Sequence, residues 1–224
     1  KGVEEQTEKL VEVCRMRNIP TIIFINKLDR EGKDAFDLLD EIEQKLDLKV
    51  TPLSLPIGMG YDFKGIFNIW EQNIQLFSDE QKQTIGKKLT FNSINDSKLE
   101  KAIGSAHLEL LKEELELIEA VYPKFNKKAY LDGKLNPVLF GSALNNFGIE
   151  ELLNCFIEIA PEPLPKVSEE RMVNPDEKKF SGFVFKIHAN MDPNHRDRLA
   201  FVKIVSGTFE RNTPYLHVRQ NKKL

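Results

Sequence analysis

The short run Thr21-Ile22-Ile23-Phe24-Ile25 leads straight into Asn26-Lys27-Leu28-Asp29, and this junction constrains the fold more than any other stretch. A continuous β-branched run predicts a strand buried on both faces, as in a parallel sheet. Parallel neighbours need long crossovers, and helical patterns flank the run on both sides. Before it, Val3, Thr7, Leu10, Val11 and Cys14 recur at helical spacing and predict an amphipathic helix. Asn18-Ile19-Pro20 ends that helix, because the residue before a proline is held out of the α region. After it, Ala35, Leu38, Leu39, Ile42 and Leu46 predict a second helix, with Asp34 as its N-cap. Helix, buried strand, polar loop and helix make half of a doubly wound α/β sheet.

From Val50 the pattern changes. Leu53, Leu55 and Ile57 alternate with Ser54 and Pro56, which predicts an edge strand. Phe63, Phe67 and Ile69, then Ile74 and Leu76, extend this to a small antiparallel sheet. The stretch from Ser78 to Ser97 is polar and weakly patterned. Leu99 to Val121 reads as an acidic helix that buries Ile103, Leu110, Leu111 and Ile118. The buried-strand signature returns at Pro137-Val138-Leu139-Phe140, followed by the turn Gly141-Ser142-Ala143. A helix then carries Ile149, Leu152, Leu153, Phe156 and Ile157 as its apolar stripe. Pro161-Glu162-Pro163-Leu164-Pro165 is a stiff linker. Beyond it Phe183, Phe185 and Ile187, and then Phe201 to Val205, predict paired strands that open a β-barrel. The expected division is 1–49, α/β; 50–136, an inserted α+β subdomain; 137–165, the last α/β strand, helix and linker; and 166–224, the start of the barrel. The chain opens at Lys1 without Met and closes in strand-like sequence, so it reads as a fragment of a longer protein.

Asn26-Lys27-Leu28-Asp29 lies where a strand of an open α/β sheet meets its loop, the crevice in which such sheets bind ligands. The residue types suit a guanine base. A carboxylate at Asp29 accepts from both the ring N1–H and the exocyclic amine. Adenine offers no such donor pair and is rejected. The Asn26 amide serves the opposite base edge and neighbouring loops, and the Lys27 stem can lie over the purine. The bland reading of the same residues is a solvated turn. Gly141-Ser142-Ala143, which also follows a buried strand, tips the balance toward a nucleotide site, because small residues let backbone N–H groups approach a base carbonyl.

On these residues the chain resembles the translational GTPases, over nearly its whole length. Gly141-Ser142-Ala143-Leu144-Asn145-Asn146-Phe147-Gly148-Ile149 and Phe183-Val184-Phe185-Lys186-Ile187-His188-Ala189-Asn190-Met191-Asp192-Pro193-Asn194-His195-Arg196-Asp197-Arg198 resemble the branch of that family that acts in translation termination. The resemblance implies a P-loop-GTPase-type sheet with an inserted subdomain, followed by a translation-factor β-barrel. It implies GTP or GDP as ligand, with Asn26, Lys27 and Asp29 reading guanine, Leu28 packing beneath, and Ser142 and Ala143 closing over the base oxygen. It implies Mg²⁺ in the longer parent, held by ligands outside this chain. It also implies the ribosome and class I release factors as partners, and a monomer.

The chain departs from that family in having no Gly-x-x-x-x-Gly-Lys-Ser/Thr phosphate loop. Asp29 to Gly32 and Asp62 to Gly65 match Asp-x-x-Gly by spacing alone, lack the family's following histidine, and read as chance. The phosphate and water-positioning elements are expected before Lys1, so no catalytic residue is assigned and the chain alone is expected to be inactive. Alternatives are an elongation factor G-like or ribosomal protection GTPase, or a non-catalytic interaction module with a vestigial loop.

Lys plus Arg is 32 and Asp plus Glu 35, for a net charge of −3, so a strongly basic nucleic-acid coat is excluded and no DNA partner is expected. His195, Arg196 and Arg198 are nonetheless candidates for contact with ribosomal RNA phosphate, weighed equally against a solvated loop. No apolar run is long enough to cross a membrane. The two cysteines, Cys14 and Cys155, exclude a disulfide framework and point to a cytoplasmic setting. Both are expected to be buried and inert, and the four histidines show no metal-ligand spacing with them.

Overall fold

The structure is a computed structural model that describes residues 2–76, 89–91, 93–189 and 198–223. It divides into two units, residues 1–160 and 161–224. In the first, β1 (Ile23–Ile25), β2 (Val50–Pro52) and β7 (Asn136–Phe140) form a parallel sheet in the order β1-β7-β2. Side chains alternate across a strand, and here the alternation feeds two cores. Ile23, Ile25, Val138 and Phe140 join Leu28, Leu39, Ile42 and Val50 on one side. Ile22, Phe24 and Leu139 join Tyr130, Cys155 and Ile159 on the other. The helix α2 (Ala35–Leu46) supplies the first face, and α5 (Lys127–Leu131) with α6 (Ile149–Ile159) the second. Two covered faces explain the apolar run Pro137-Val138-Leu139-Phe140 of β7, which is buried along its whole length together with Asn136. Phe140 is fully buried, worth about 2–3 kcal/mol.

Local chemistry sets the helix ends. Asp34 accepts from the Phe36 N–H at 2.8 Å, and Asp47 closes α2 in the left-handed region at φ 50°. Asn126 caps α5 in the same way, through the Ala129 N–H at 2.9 Å.

Several expectations are corrected. The strand β1, at one edge of its sheet, is half-buried rather than fully buried. The helix α1 (Glu5–Met16) buries no residue completely; Val3 and Val11 touch the core while Leu10 is exposed. Helix α6 buries Glu151, Cys155 and Ile159, with Leu152 half-buried, and leaves Leu153, Phe156 and Ile157 outside.

The α/β sheet also continues past residue 49, since Val50, Thr51 and Pro52 pair with Asn136, Pro137 and Val138. The chain changes sheets at Leu53, whose N–H donates to the Val138 carbonyl at 2.8 Å. There β3 (Ser54–Ile57) begins an antiparallel sheet with β4 (Gly65–Asn68), β5 (Asn73–Leu76) and β6 (Leu89–Phe91), in the order β3-β4-β5-β6. The acidic stretch is two helices, α3 (Ser97–Ile103) and α4 (Ser105–Val121), parted at Gly104 with φ 86°. Leu111 and Ile118 are buried, but Leu110 is exposed. Leu55, Ile74, Leu99 and Leu111 share one core with Leu39 and Val138, so the insertion is fused to the α/β layer.

The second unit is antiparallel throughout. It pairs β8 (Lys166–Val167) with β9 (Met172–Val173), β10 (Ser181–Ala189) with β11 (Arg198–Ser206), and β12 (Leu216–His217) with β13 (Lys222–Lys223). Its boundary at residue 161 falls before the five-residue proline linker rather than after it. Phe183, Phe185 and Ile187 are exposed on β10.

Candidate functional site

Two loops leave neighbouring parallel strands at their carboxyl ends. Asn26 follows β1 directly, and Gly141 follows β7. The ladder continues between them, with the Gly141 N–H donating to the Ile25 carbonyl at 2.9 Å and the Leu28 N–H to the Gly141 carbonyl at 3.2 Å. This places Asn26, Lys27, Leu28, Asp29, Ser142 and Ala143 together, although the two loops are more than a hundred residues apart in sequence.

The side chains then clamp the loops. Asn26 Oδ1 accepts from the Lys27 N–H at 2.8 Å and from the Ala143 N–H at 2.9 Å. The Ala143 N–H, expected to face a base carbonyl, thus serves the loop-to-loop contact here. Lys27 is held at φ 71°, a left-handed conformation that a non-glycine residue adopts at a cost of about 1 kcal/mol or more. Ser142 is fully buried, and its Oγ donates to Asp29 Oδ1 at 2.5 Å. The Asp29 side chain is 21% exposed, enough to open its carboxylate to a ligand; Arg30 Nε lies 3.9 Å from Oδ2. Leu28 is buried beneath the loop.

Two glycines admit no side chain. A Cβ on Gly141 would lie 2.3 Å from the Phe147 carbonyl oxygen, and one on Gly148, at φ 74°, would lie 2.4 Å from that of Phe140. Reciprocal bonds between Ser142 and Phe147, both at 2.9 Å, close the loop between them.

The inserted segment supports both loops. The Gly60 N–H donates to the Leu28 carbonyl at 2.9 Å. The Phe63 ring meets that of Phe147 edge-on at 5.4 Å. His107, on α4, bonds Asp62 in the same turn at 2.7 Å, and with Lys64 it holds the Asp62 carboxyl low. None of these contacts carries a signal in the sequence. Nearby, burial and then the charge of Asp34 push the Glu114 carboxyl up to about 7.

Other candidates fare differently. His195 and Arg196 lie outside the described residues. Arg198 is the first residue of β11, opposite Ala189 and exposed, rather than a loop residue. Cys14 is half-buried rather than buried, whereas Cys155 is buried and its thiol is pushed up to about 12, by burial and then by Glu158. Among the described residues, no group of three or more His, Cys, Asp or Glu could hold a metal ion, and no helix is long and apolar enough to cross a membrane.

A parallel sheet with paired polar loops at adjacent strand ends defines an α/β protein with a candidate ligand crevice. The family model "Elongation factor Tu GTP binding domain" matches residues 1–162, and the chain belongs to that family. A second model, "Elongation factor G domain 2", matches residues 179–224. The chain is 48% identical to peptide chain release factor 3 of Buchnera aphidicola subsp. Schizaphis graminum (strain Sg). That similarity covers 99% of this chain and 42% of the relative, so the chain spans about two fifths of its length.

Proposed function

We propose that this chain is the base-reading part of a GTPase that acts in translation termination. The observation that carries the reading is the Ser142-to-Asp29 bond, which aims a partly open carboxylate out of the crevice between two parallel strands. Asp29 takes the guanine N1–H and exocyclic amine, the Lys27 stem covers the ring, and Asn26 holds the two loops together. Ser142 and Ala143 border the base-oxygen edge, and Leu28 anchors the loop to the core. The ligand is GTP or GDP.

The described residues do not fit Mg²⁺, and no metal-dependent step is derived from them. In the longer protein, GTP binding and hydrolysis would drive the release and recycling of class I release factors on the ribosome. The name of the similar release factor supports the place in translation termination; the cytoplasm as the setting and a monomer as the working form belong to the same proposal. By itself the chain binds nucleotide weakly and hydrolyses none, because its sequence holds no phosphate loop. His195, Arg196 and Arg198 provide a ribosomal RNA contact.

The test is Asp29→Asn in the full-length protein, with calorimetric titration of GDP and xanthosine diphosphate. Loss of a bidentate contact to a charged group costs ~2–3 kcal/mol, roughly 30- to 150-fold in GDP affinity. Xanthosine diphosphate should gain, since an amide can donate to its extra oxygen. Unchanged GDP affinity would refute the reading.

A further inference from the structure

The Ser142 hydroxyl sits between two partners. Its Oγ donates to Asp29 Oδ1 at 2.5 Å and accepts from Asn145 Nδ2 at 3.0 Å. A hydroxyl carries one proton and turns it toward whichever neighbour accepts. The Asn145 amide is a donor, so only an oxygen lone pair can meet it. It therefore directs the hydroxyl proton away from itself and onto Asp29. Ser142 is fully buried, so no water competes for that orientation.

Asn145 is held in place by its own backbone. It ends the short turn Ala143–Asn145, and its N–H donates to the Ser142 carbonyl at 3.2 Å. Asn146 follows in the left-handed region at φ 53° and turns the chain back toward Phe147. Among the described residues, Asp29 has one ion pair, with Arg30, long at 3.9 Å and on a largely exposed side chain. A contact of that kind contributes little. The buried hydroxyl, rather than the arginine, decides where the carboxylate points.

We propose that Asn145 is a positioning residue for guanine selection: through Ser142, it holds Asp29 in the rotamer that presents both carboxylate oxygens to the base. The inference rests on the base-reading function proposed above, and adds to it a residue that never touches the nucleotide.

The experiment is calorimetric titration of the full-length protein with GDP, inosine diphosphate and ADP. Inosine lacks the exocyclic amine and uses only one carboxylate oxygen, so it reports less on the rotamer. Asn145→Ala should lower GDP affinity about 3- to 10-fold and inosine diphosphate affinity by less, narrowing the preference between them. Asn145→Asp keeps the shape but offers an acceptor, so it should draw the hydroxyl proton from Asp29 and cost more than alanine does. In a Ser142→Ala background, Asn145→Ala should cost nothing further. Wild-type GDP affinity in Asn145→Ala would overturn the proposal. So would equal losses for the two nucleotides, an Asp variant no worse than Ala, or a full loss that persists without Ser142. A wild type that fails to prefer GDP over ADP would instead refute the base-reading function, and this inference with it.

Discussion

Asn26 offers the sharpest test of how the two loops are held, because one oxygen serves both. Asn26→Ala removes the acceptor of the Lys27 N–H at 2.8 Å and of the Ala143 N–H at 2.9 Å. Both donors lie on exposed residues, so water replaces part of what is lost, and each bond is taken at the low end, about 0.5–1 kcal/mol. Lys27 then loses one of the bonds that hold it at φ 71°, although its carbonyl still accepts from the Arg30 N–H at 3.1 Å, and partial relaxation of that conformation returns some of its strain. The two bonds together contribute about 1–2 kcal/mol, and the returned strain leaves a net loss of about 0.5–1.5 kcal/mol, or roughly 1–5 °C in Tm for a unit of this size. GDP affinity should fall further than stability, because the relaxed loop no longer presents Asp29. Thermal unfolding of the full-length protein measures the first effect and calorimetry the second. Asn26→Asp retains an acceptor oxygen and should keep most of the wild-type Tm. An alanine variant with wild-type Tm, or an aspartate variant as unstable as the alanine one, would refute the clamp.

Glu114 makes stability depend on pH. Its folded pKa is raised from 4.5 to about 7, by burial first and then by Asp34, so the stability it supports is present below the unfolded value and lost as pH rises through about 7. Denaturant titrations should show the wild type weaker at high pH by on the order of 1 kcal/mol, after allowance for partial solvent exposure. Glu114→Gln should flatten that slope, and an unchanged slope would exclude the assignment. Gly148→Ala would force a Cβ within 2.4 Å of the Phe140 carbonyl oxygen at φ 74°; a loss above about 1–2 kcal/mol in urea is expected, and wild-type stability would contradict the geometry. Replacing Arg196 and Arg198 together with alanine should flatten the salt dependence of ribosome binding by about one phosphate contact per arginine. A wild-type slope would leave them merely solvated.

What was legible in the sequence was what is encoded locally. The β7 run, the Asp34 cap and the α2 stripe each follow from residues within one or two turns of one another. So did the placing of Asn26 to Asp29 and of Ser142 beside a strand end. The errors came where a longer-range partner decides. Val50–Pro52 is three residues long and runs into β3 almost without a break, so nothing in its pattern says that it pairs with β7. Helix α6 has apolar residues on two faces; the sheet selects the one with Cys155 and Ile159, and leaves Phe156 and Ile157 out. The hydrogen bonds that shape the site link residues 113 and 117 positions apart. No spacing rule reaches that far.

The turn at Gly60 to Phe63 bears on how such proteins can be recombined. It braces the first loop through Leu28 and the second through Phe147. The insertion is therefore a keystone rather than an ornament. A shorter chain that joined Leu53 to Leu135 would keep every residue proposed to read the base, and would still drop the strut behind each loop. A chimera that took its insertion from a relative would have to bring a matching turn, with a backbone N–H for Leu28 and a ring for Phe147. Exchange between members of the family is thus expected to succeed when the pocket and the insertion travel together, and to fail when the boundary is cut between them.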